Sequence, residues 1–159
     1  MTRTTPLPLL LLALIVLFTA TAQRSAFTYT DLLLLDRISG LAVDPAGHYA
    51  LFTVRATDME KNKGVRSLWL KDLTKLTAPE VRLAVSDSGA DDAQWSPDGK
   101  SIYFLSSRGG SHSPQVWKTD ITGVAAEQVT RLPLDIGAYR ITPDGKGLVV
   151  AMAVYPAAA

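Results

Sequence analysis

The chain has 159 residues, with 16 lysines and arginines against 15 aspartates and glutamates, two histidines and no cysteine. A net charge of +1 gives no electrostatic case for binding nucleic acid, which usually requires a basic face. The absence of cysteine excludes disulfides, thiol nucleophiles, zinc knuckles and iron–sulfur clusters.

The first 22 residues have the three parts of a secretory signal peptide. Arg3 gives a positive start, residues 7–18 are apolar throughout, and residues 20–22 read Ala-Thr-Ala, the arrangement that signal peptidase recognises. The alternative is an uncleaved membrane anchor, but residues 7–22 are fewer than the ~20 that a spanning helix needs. We therefore predict cleavage before Gln23 and an exported protein, periplasmic or secreted, that meets the membrane only through its export signal.

Residues 23–37 are predicted to form an N-terminal segment with a short helix. The leucine-rich run from Thr30 to Arg37 carries the helix signal. Thr30 is the predicted N-cap, and Asp31 suits the positive first turn of a helix.

Three segments of the remaining chain repeat a proline- and glycine-containing turn between apolar runs. Their prolines are Pro45, Pro97 and Pro143, in steps of 52 and 46 residues, and a Trp-x-x-Asp element recurs in phase at Trp69 and Trp117. Proline presets the first corner of a turn, aspartate hydrogen-bonds at the second, and glycine takes the exit with positive φ. Each repeat therefore predicts two antiparallel strands joined by a tight turn, followed by a third strand that carries tryptophan.

Fourth strands are predicted at Val81–Val85 and Glu127–Arg131. Four antiparallel strands in every ~40–50 residues are typical of the blade of a β-propeller. The alternative, a common hairpin turn, does not explain three copies in register. We predict an all-β fold, an incomplete β-propeller of four-stranded antiparallel blades with two complete blades and the start of a third. The predicted propeller covers residues 38–159, with blades at 38–85, 90–133 and 137–156.

Two polar segments are predicted to be loops between strands. They are Ala56–Arg66 in the first blade and Arg108–Pro114 in the second. The three tryptophans recur with the repeat, so they are expected in the core rather than on a ligand platform.

The sequence offers no catalytic, cofactor-binding or metal-binding residue. It has no Gly-x-Ser-x-Gly nucleophile elbow, and Ser111, the nearest imitation, lies in a loop rich in glycine and serine. His48 and His112 are 64 residues apart and make a poor metal site.

Three aspartates cluster around Ser88 and Gly89, at positions Asp87, Asp91 and Asp92. Their spacing does not follow an EF-hand loop. We therefore expect them to stabilise turns rather than to bind calcium.

The repeat resembles a known blade motif. Trp95-Ser-Pro-Asp-Gly-Lys100, followed by Ile102-Tyr-Phe-Leu-Ser-Ser-Arg108 and Trp117-Lys-Thr-Asp120, is similar to blades of TolB-like propellers and of the propeller domain of the prolyl oligopeptidase family of serine peptidases. The entry, Asp31-Leu32 with Leu35 and Arg37 before Val43-Asp-Pro-Ala-Gly47, resembles dipeptidyl-peptidase and acylaminoacyl-peptidase members. The likeness covers residues 29–156, although the first repeat has Asp44 and the third Thr142 where the motif has serine.

The resemblance implies a noncatalytic N-terminal propeller part of an exported serine peptidase. In that family the propeller caps a C-terminal α/β-hydrolase domain, which carries the serine, aspartate and histidine and which this chain lacks. After residue 22 the chain has 137 residues, fewer than three blades need at this period. The implied partners are short peptides and the missing hydrolase domain, no cofactor is implied, and the chain alone is expected to be inactive.

Two questions stay open from the sequence. Glu60, Glu80 and Glu127 are scattered and match no acidic pair that could hold the amine of a peptide. The alternative function is a TolB-like periplasmic propeller that acts as a protein-binding module.

Overall fold

The computed structural model describes residues 26–110 and 113–154, so the predicted signal peptide lies outside the described residues. The chain divides into two units, Met1–Leu32 and Leu33–Ala159. The helix and strands of the described part are α1 (Tyr29–Leu34), β1 (Arg37–Val43), β2 (Tyr49–Asp58), β3 (Lys63–Asp72), β4 (Val81–Arg82), β5 (Asp91–Trp95), β6 (Ile102–Ser106), β7 (Gln115–Thr119), β8 (Glu127–Gln128), β9 (Ile136–Ile141) and β10 (Leu148–Met152). A short 3₁₀ helix, Ala84–Ser88, follows β4.

Helix α1 begins earlier and ends earlier than predicted. Thr28, rather than Thr30, is the N-cap, because its Oγ1 accepts a hydrogen bond from the amide of Asp31 at 3.2 Å. The carboxylate of Asp31 accepts in return from the amide of Thr28 at 2.7 Å, which completes a capping box with aspartate in the third position. Arg37 lies in β1 and not in the helix. Within the described ranges, no helix has the length and apolar character needed to span a bilayer.

The strands form two four-stranded antiparallel sheets and one hairpin. Strands β1–β4 make the first blade, β5–β8 make the second blade, and β9 with β10 makes the third hairpin, each in chain order. This arrangement confirms the predicted fold class of an incomplete β-propeller with two complete blades and the start of a third.

The fourth strands are shorter than the sequence predicted. After Arg82 the chain forms the 3₁₀ helix instead of continuing to pair, although the amide of Leu83 still donates to the carbonyl of Leu68 at 2.9 Å. In the second blade the amide of Val116 donates to the hydroxyl of Thr130 at 2.9 Å. A side chain thus takes the place of a backbone acceptor, and the ladder ends at Gln128.

The prediction of a polar loop at Ala56–Arg66 was wrong for most of its length. Strands β2 and β3 stay paired as far as Asp58 and Lys63, leaving a four-residue turn. Asp58 closes that turn by accepting hydrogen bonds at 3.0 Å from both the amide and the ammonium group of Lys61. The polarity of this segment therefore reflects exposure to solvent and not the loss of strand pairing.

The repeated turn is held by its serine and aspartate side chains. Ser96 Oγ donates to Asp98 Oδ1 at 2.6 Å and accepts from the amide of Ser101 at 2.9 Å. Asp98 Oδ1 also accepts from the amide of Lys100 at 3.1 Å. Gly99, with φ of +69°, takes the left-handed exit that a side chain would strain.

The residues that depart from the motif form hydrogen bonds equivalent to those of the second repeat. Thr142 and Asp144 in the third repeat make the bonds that serine and aspartate make in the second. In the first repeat Asp44 replaces both residues, because its carboxylate accepts from the amide of Ala46 at 3.1 Å and from that of Tyr49 at 2.6 Å. One longer acidic side chain thus compensates for alanine at the usual aspartate position.

The main core lies where the facing sides of the two blades meet. The first blade contributes leucines from β2, β3 and the segment after β4, and the second contributes an alanine, an isoleucine and two aromatic residues. These and two residues of the connection between the blades are fully or nearly buried, and the members are Leu51, Leu68, Leu70, Leu83, Val85, Ala90, Ala93, Ile102, Phe104 and Trp117. A second cluster joins the other side of the second blade to the third hairpin and centres on Val116, Ile136 and Tyr139.

The three tryptophans have different environments, so the expectation that all lie in the core was only partly right. Trp117 is buried between the blades, whereas Trp95 is half-buried and donates from Nε1 to the carbonyl of Ala42 at 3.3 Å. Trp69 pairs with Phe52 across β2 and β3, as Trp117 pairs with Phe104 across β6 and β7. The pair in the first blade faces away from the second blade.

This other side of the first blade is mainly apolar, and its residues from β1 are exposed. We name it the open face, and its main members are Ile38, Leu41, Phe52, Val54 and Trp69, around a depression of about 640 Å³. Ile38 is 67% exposed and Leu41 69%. The open face is equivalent to the side of the second blade that packs against the first blade. Its composition therefore suits contact with another blade.

We expect the isolated 159-residue chain to be marginally folded or to aggregate, because the open face exposes contiguous apolar area. Size-exclusion chromatography with light scattering should reveal association. The double variant Ile38→Lys/Leu41→Lys should reduce it, whereas Leu76→Lys, at a turn residue that is 73% exposed, should not. The urea measurements proposed below therefore use the double variant as the parent chain. A monodisperse wild-type monomer with a cooperative thermal transition would contradict this expectation.

The repeated turns predict a loss of stability in acid. The hydroxyl of Ser96 holds the pKa of Asp98 below its usual value, and the hydroxyl of Thr142 does the same for Asp144. A carboxyl group with a lowered pKa in the folded state stabilises fully above its unfolded pKa of about 3.9, and this contribution disappears as the pH falls through the folded value. The variant Asp98→Asn should therefore lose less stability than the wild type below about pH 4.

Urea denaturation followed by tryptophan fluorescence at a series of pH values measures this difference. The matched control is Asp135→Asn, at an exposed position before β9. Equal acid sensitivity of Asp98→Asn and the wild type would show that the turn carboxylate does not contribute.

Candidate binding cleft between the blades

Of the histidines and the serine considered from the sequence, His48 is the one that the described residues include. Ser111 and His112 are outside the described residues. His48 is exposed in the turn between β1 and β2, where its carbonyl accepts from the amide of Leu73 at 2.8 Å. The structure therefore gives His48 a place in a turn, and the absence of catalytic residues from this chain stays a prediction.

The acidic residues are engaged with separate partners. Asp87 pairs with Arg82 at 2.6 Å, and Asp91 pairs with Arg66 at 3.4 Å. Among residues 26–110 and 113–154, no three potential ligands among histidine, aspartate and glutamate come together as a metal site would require. Both aspartates thus take part in single ion pairs at the edge between the blades.

The glutamates are equally dispersed. Glu80 pairs with Lys71 at 3.0 Å, and Glu127 pairs with Lys118 at 3.1 Å. Glu60 is exposed in the turn between β2 and β3. The structure does not bring these three residues together.

Asp92 acts through its backbone at a bulge in β5, the first strand of the second blade. Its φ of +45° is unusual for a residue with a side chain, and Gly40 has φ of +62° at the equivalent point of the first blade. The hydroxyl of Tyr139 donates to the carbonyl of Asp92 at 2.8 Å, while Gln94 Nε2 donates to the carbonyl of Tyr139 at 2.9 Å. Burial, followed by the nearby Asp92 carboxylate, raises the pKa of the Tyr139 hydroxyl, which stays protonated as a donor.

Arg108 holds the connection between the first and second blades. Its guanidinium donates to the carbonyls of Val85 and Gly89, the latter at 3.0 Å, and Nε donates to Ser106 Oγ at 2.9 Å. The same group lies over the rings of Phe104 and Trp117, at 4.7 and 5.6 Å from their centroids. The arrangement satisfies several donors of one arginine and stacks its planar face on apolar surface.

Gln115 has the same role at the connection between the second blade and the third hairpin. It is 1% exposed, and Nε2 donates to the carbonyls of Leu132 and Leu134 at 3.1 and 3.2 Å. Its Oε1 accepts from Thr130 Oγ1 at 2.9 Å and from the amide of Leu132 at 2.8 Å. A buried amide with four partners fixes the path of the connecting segment.

These connections border a cleft of about 770 Å³, within the size range of ligand sites. Its walls are residues 63–66 of β3, residues 86–91 between the first and second blades, residues 105–107 at the end of β6, Pro114, and residues 136–137 of β9. The lining combines glycines and serines with five apolar residues and with two basic and two acidic side chains. Asp87 and Asp91, two of the aspartates considered from the sequence, are among the cleft's lining residues.

The sequence did not indicate Arg108 or Gln115 as functional residues. Both lie beside the connections that lead from one blade to the next. In the sequence Arg108 begins the predicted loop Arg108–Pro114, and Gln115 directly follows it. Both side chains bind mainly backbone carbonyl groups, and no pattern of residue types predicts such partners.

Comparisons with known proteins identify relatives among peptidases, although no family model matches the chain. It is 31% identical over 133 residues to dipeptidyl-peptidase 5 of Porphyromonas endodontalis, covering 81% of this chain and 18% of that protein. It is 24% identical over 132 residues to the uncharacterized peptidase YuxL of Bacillus subtilis, covering 83% and 20%. The chain thus spans about a fifth of the length of these curated relatives.

Solved structures share the fold. Acylaminoacyl peptidase of Pyrococcus horikoshii matches with a TM-score of 0.61 at 17% identity, over 78% of this chain and 18% of that one. The β-propeller domain of the trilobed protease of Pyrococcus furiosus matches at 0.54 and 16%, over 72% and 34%. TolB of Acinetobacter baumannii matches at 0.54 and 28%, over 70% and 25%.

These comparisons confirm the resemblance inferred from the blade motif. The chain is similar to the N-terminal propeller part of peptidases of the prolyl oligopeptidase type, and it has the repeats of TolB-like propellers. Its fold is that of part of a β-propeller.

We expect Arg108→Lys to destabilise the chain by about 1–3 kcal/mol, because lysine keeps the charge but cannot reach the two carbonyls and Ser106 in the same geometry. The free energy of unfolding from urea titrations measures this effect. Arg131→Lys, at an exposed position, is the matched control and should change stability by less than about 0.5 kcal/mol. Equal stabilities of the two variants would refute the clamping role of Arg108.

Proposed function

We propose that this chain is the noncatalytic N-terminal propeller portion of an exported serine peptidase of the dipeptidyl-peptidase or acylaminoacyl-peptidase type. The observation that carries the proposal is the 31% identity to dipeptidyl-peptidase 5, which extends over 81% of this chain. Export is supported by the predicted signal peptide at residues 1–22. The proposed catalytic unit is a C-terminal α/β-hydrolase domain, which would contribute the serine, histidine and aspartate.

The proposed role of the propeller is to control which short peptides reach that domain. A rigid array of blades has a narrow axial passage and clefts between blades, so it can admit a short extended chain and exclude a folded protein. The cleft beside residues 63–66 is the opening that we propose for such a peptide. Chemistry in the complete protein would proceed by nucleophilic serine catalysis through an acyl-enzyme.

A TolB-like binding module is the second candidate function. The 28% identity to TolB of Acinetobacter baumannii favours it, since this value exceeds the identity to the acylaminoacyl peptidase structure. In that case the blade surfaces would contact a protein partner in the periplasm, and no hydrolase domain would be required.

The coding DNA beyond residue 159 distinguishes the two candidates. We expect it to encode Gly-x-Ser-x-Gly in a strand–turn–helix context, followed by an aspartate and then a histidine. A reading frame that continues only with further blades would sink the peptidase proposal and support the binding module.

We also expect the purified 159-residue chain to show no turnover of a dipeptidyl chromogenic substrate, because the chain carries no nucleophile elbow. The longer chain that includes the downstream domain should cleave it. Alanine at the downstream nucleophile is the control, since it leaves the propeller intact. Activity of the purified short chain would show that a catalytic group lies within it.

A further inference from the structure

Three arginines lie side by side across the first blade. Strand pairing places Arg37 of β1 opposite Arg55 of β2, and Arg55 opposite Arg66 of β3. Directly paired residues project from the same side of a sheet with Cβ atoms ~5 Å apart. We name Arg37, Arg55 and Arg66 the arginine row. It lies on the side of the sheet that faces the second blade, because Arg66 reaches Asp91 of that blade.

The row has little compensation from acidic groups. Like charges directly opposite each other on neighbouring strands are unfavourable. Among the described residues, only Arg66 of the three takes part in an ion pair; the Arg66 and Asp91 side chains are 3.4 Å apart and both about half exposed. Asp87 at the cleft is bound to Arg82, and Asp58 at the end of the hairpin is bound to Lys61. Three positive charges therefore face one loosely held carboxylate.

Gly64 leaves room for one of these guanidinium groups. A Cβ added to Gly64 would lie 2.5 Å from Arg55 Nε and 2.9 Å from Arg55 Nη2. The backbone of Gly64 has no positive φ that would call for glycine. A glycine within a strand weakens it and often marks a close approach of another group. Here the approaching group is the guanidinium of Arg55, which lies over a wall residue of the cleft.

We propose that the arginine row, together with the adjoining cleft, binds the carboxylates of an acidic peptide segment. This inference rests on the proposed function, in which short peptides pass the propeller, and it names the peptide class that this opening selects. Guanidinium groups match carboxylates in a planar, bidentate geometry. Guanidinium groups borne by directly paired residues, whose Cβ atoms are ~5 Å apart, can hold two carboxylates or share one between them.

The lining of the cleft favours a peptide over a nucleic acid. Stacking platforms of aromatic side chains are typical of sites for single-stranded nucleic acids. None of the described lining residues is aromatic. Seven are glycine or serine, five are apolar, and the charged members are Lys63, Arg66, Asp87 and Asp91, of which both aspartates are already held by arginines. Such a surface offers hydrogen-bonding groups to an extended peptide, and the arginine row offers the charge.

The test measures binding of a hexapeptide with three glutamates to the chain, tethered at low density so that open faces of separate copies do not meet. Surface plasmon resonance at about 50 mM salt should show binding that weakens as the salt concentration rises. The glutamine version of the peptide should bind at least about tenfold more weakly, as should the glutamate peptide to Arg37→Gln or Arg55→Gln. Lys146→Gln, at the exposed turn between β9 and β10, removes the same charge and should leave the affinity within about twofold.

Two glycine variants distinguish a binding site of defined geometry from nonspecific attraction to positive charge. Gly64→Ala keeps every charge but displaces the guanidinium of Arg55, so it should weaken binding about tenfold. Gly137→Ala is the matched control, because Gly137 also lines the cleft and an added Cβ there meets only the carbonyl of Ala151 at 3.7 Å. Far-ultraviolet circular dichroism checks that both variants keep the strands.

Several outcomes would overturn the arginine site. They are failure of the glutamate peptide to bind, equal binding of its glutamine version, equal affinities of Gly64→Ala and Gly137→Ala, and competition by inorganic phosphate at the concentration of the peptide. Failure of this site and failure of the proposed function are distinguishable. A downstream serine-peptidase motif with no peptide binding refutes only the arginine site, whereas peptide binding with only further blades downstream refutes only the peptidase.

Discussion

Face-to-face packing of successive blades is the interaction on which the rest of the structure depends. Leu51 and Leu68 of the first blade and Ile102 and Phe104 of the second are fully buried where the two sheets meet. Burial of each such side chain stabilises by about 1.5–3 kcal/mol, whereas each hydrogen bond between the blades contributes about 0.5–1.5 kcal/mol. Apolar contact therefore supplies most of the stability, and bonds such as that from Trp95 to Ala42 fix the alignment.

The same constraint explains why the connecting segments carry the least predictable side chains. A segment that leaves one blade and enters the next has backbone groups without strand partners, and such groups need partners when they are buried. Arg108 provides them at one connection and Gln115 at the next. The two residues differ in charge and shape, so the two connections are stabilised in the same way by different side chains.

The periodic features of the fold could be predicted from the sequence because each is local. The Pro-Asp-Gly turns specify hairpins through their own side chains, and alternation in Ile102–Ser106 specifies which side is buried. The features that were missed depend on residues far apart in the chain. Thr130 ends a strand by bonding to Val116, and polar residues of Ala56–Arg66 stay paired because neither side of that hairpin end needs burial.

The cleft depends on register, which a linear pattern does not contain. Arg37, Arg55 and Arg66 are separated by 18 and 11 positions in the sequence, and neither spacing suggests a cluster. They become neighbours because the turn at Asp58 and the bulge beside Gly40 set the pairing of β1, β2 and β3. A shift of one residue in either pairing would move an arginine to the opposite side of the sheet. The turn and the bulge therefore determine the charge on the side of the first blade that faces the second blade, as well as the shape of the blade.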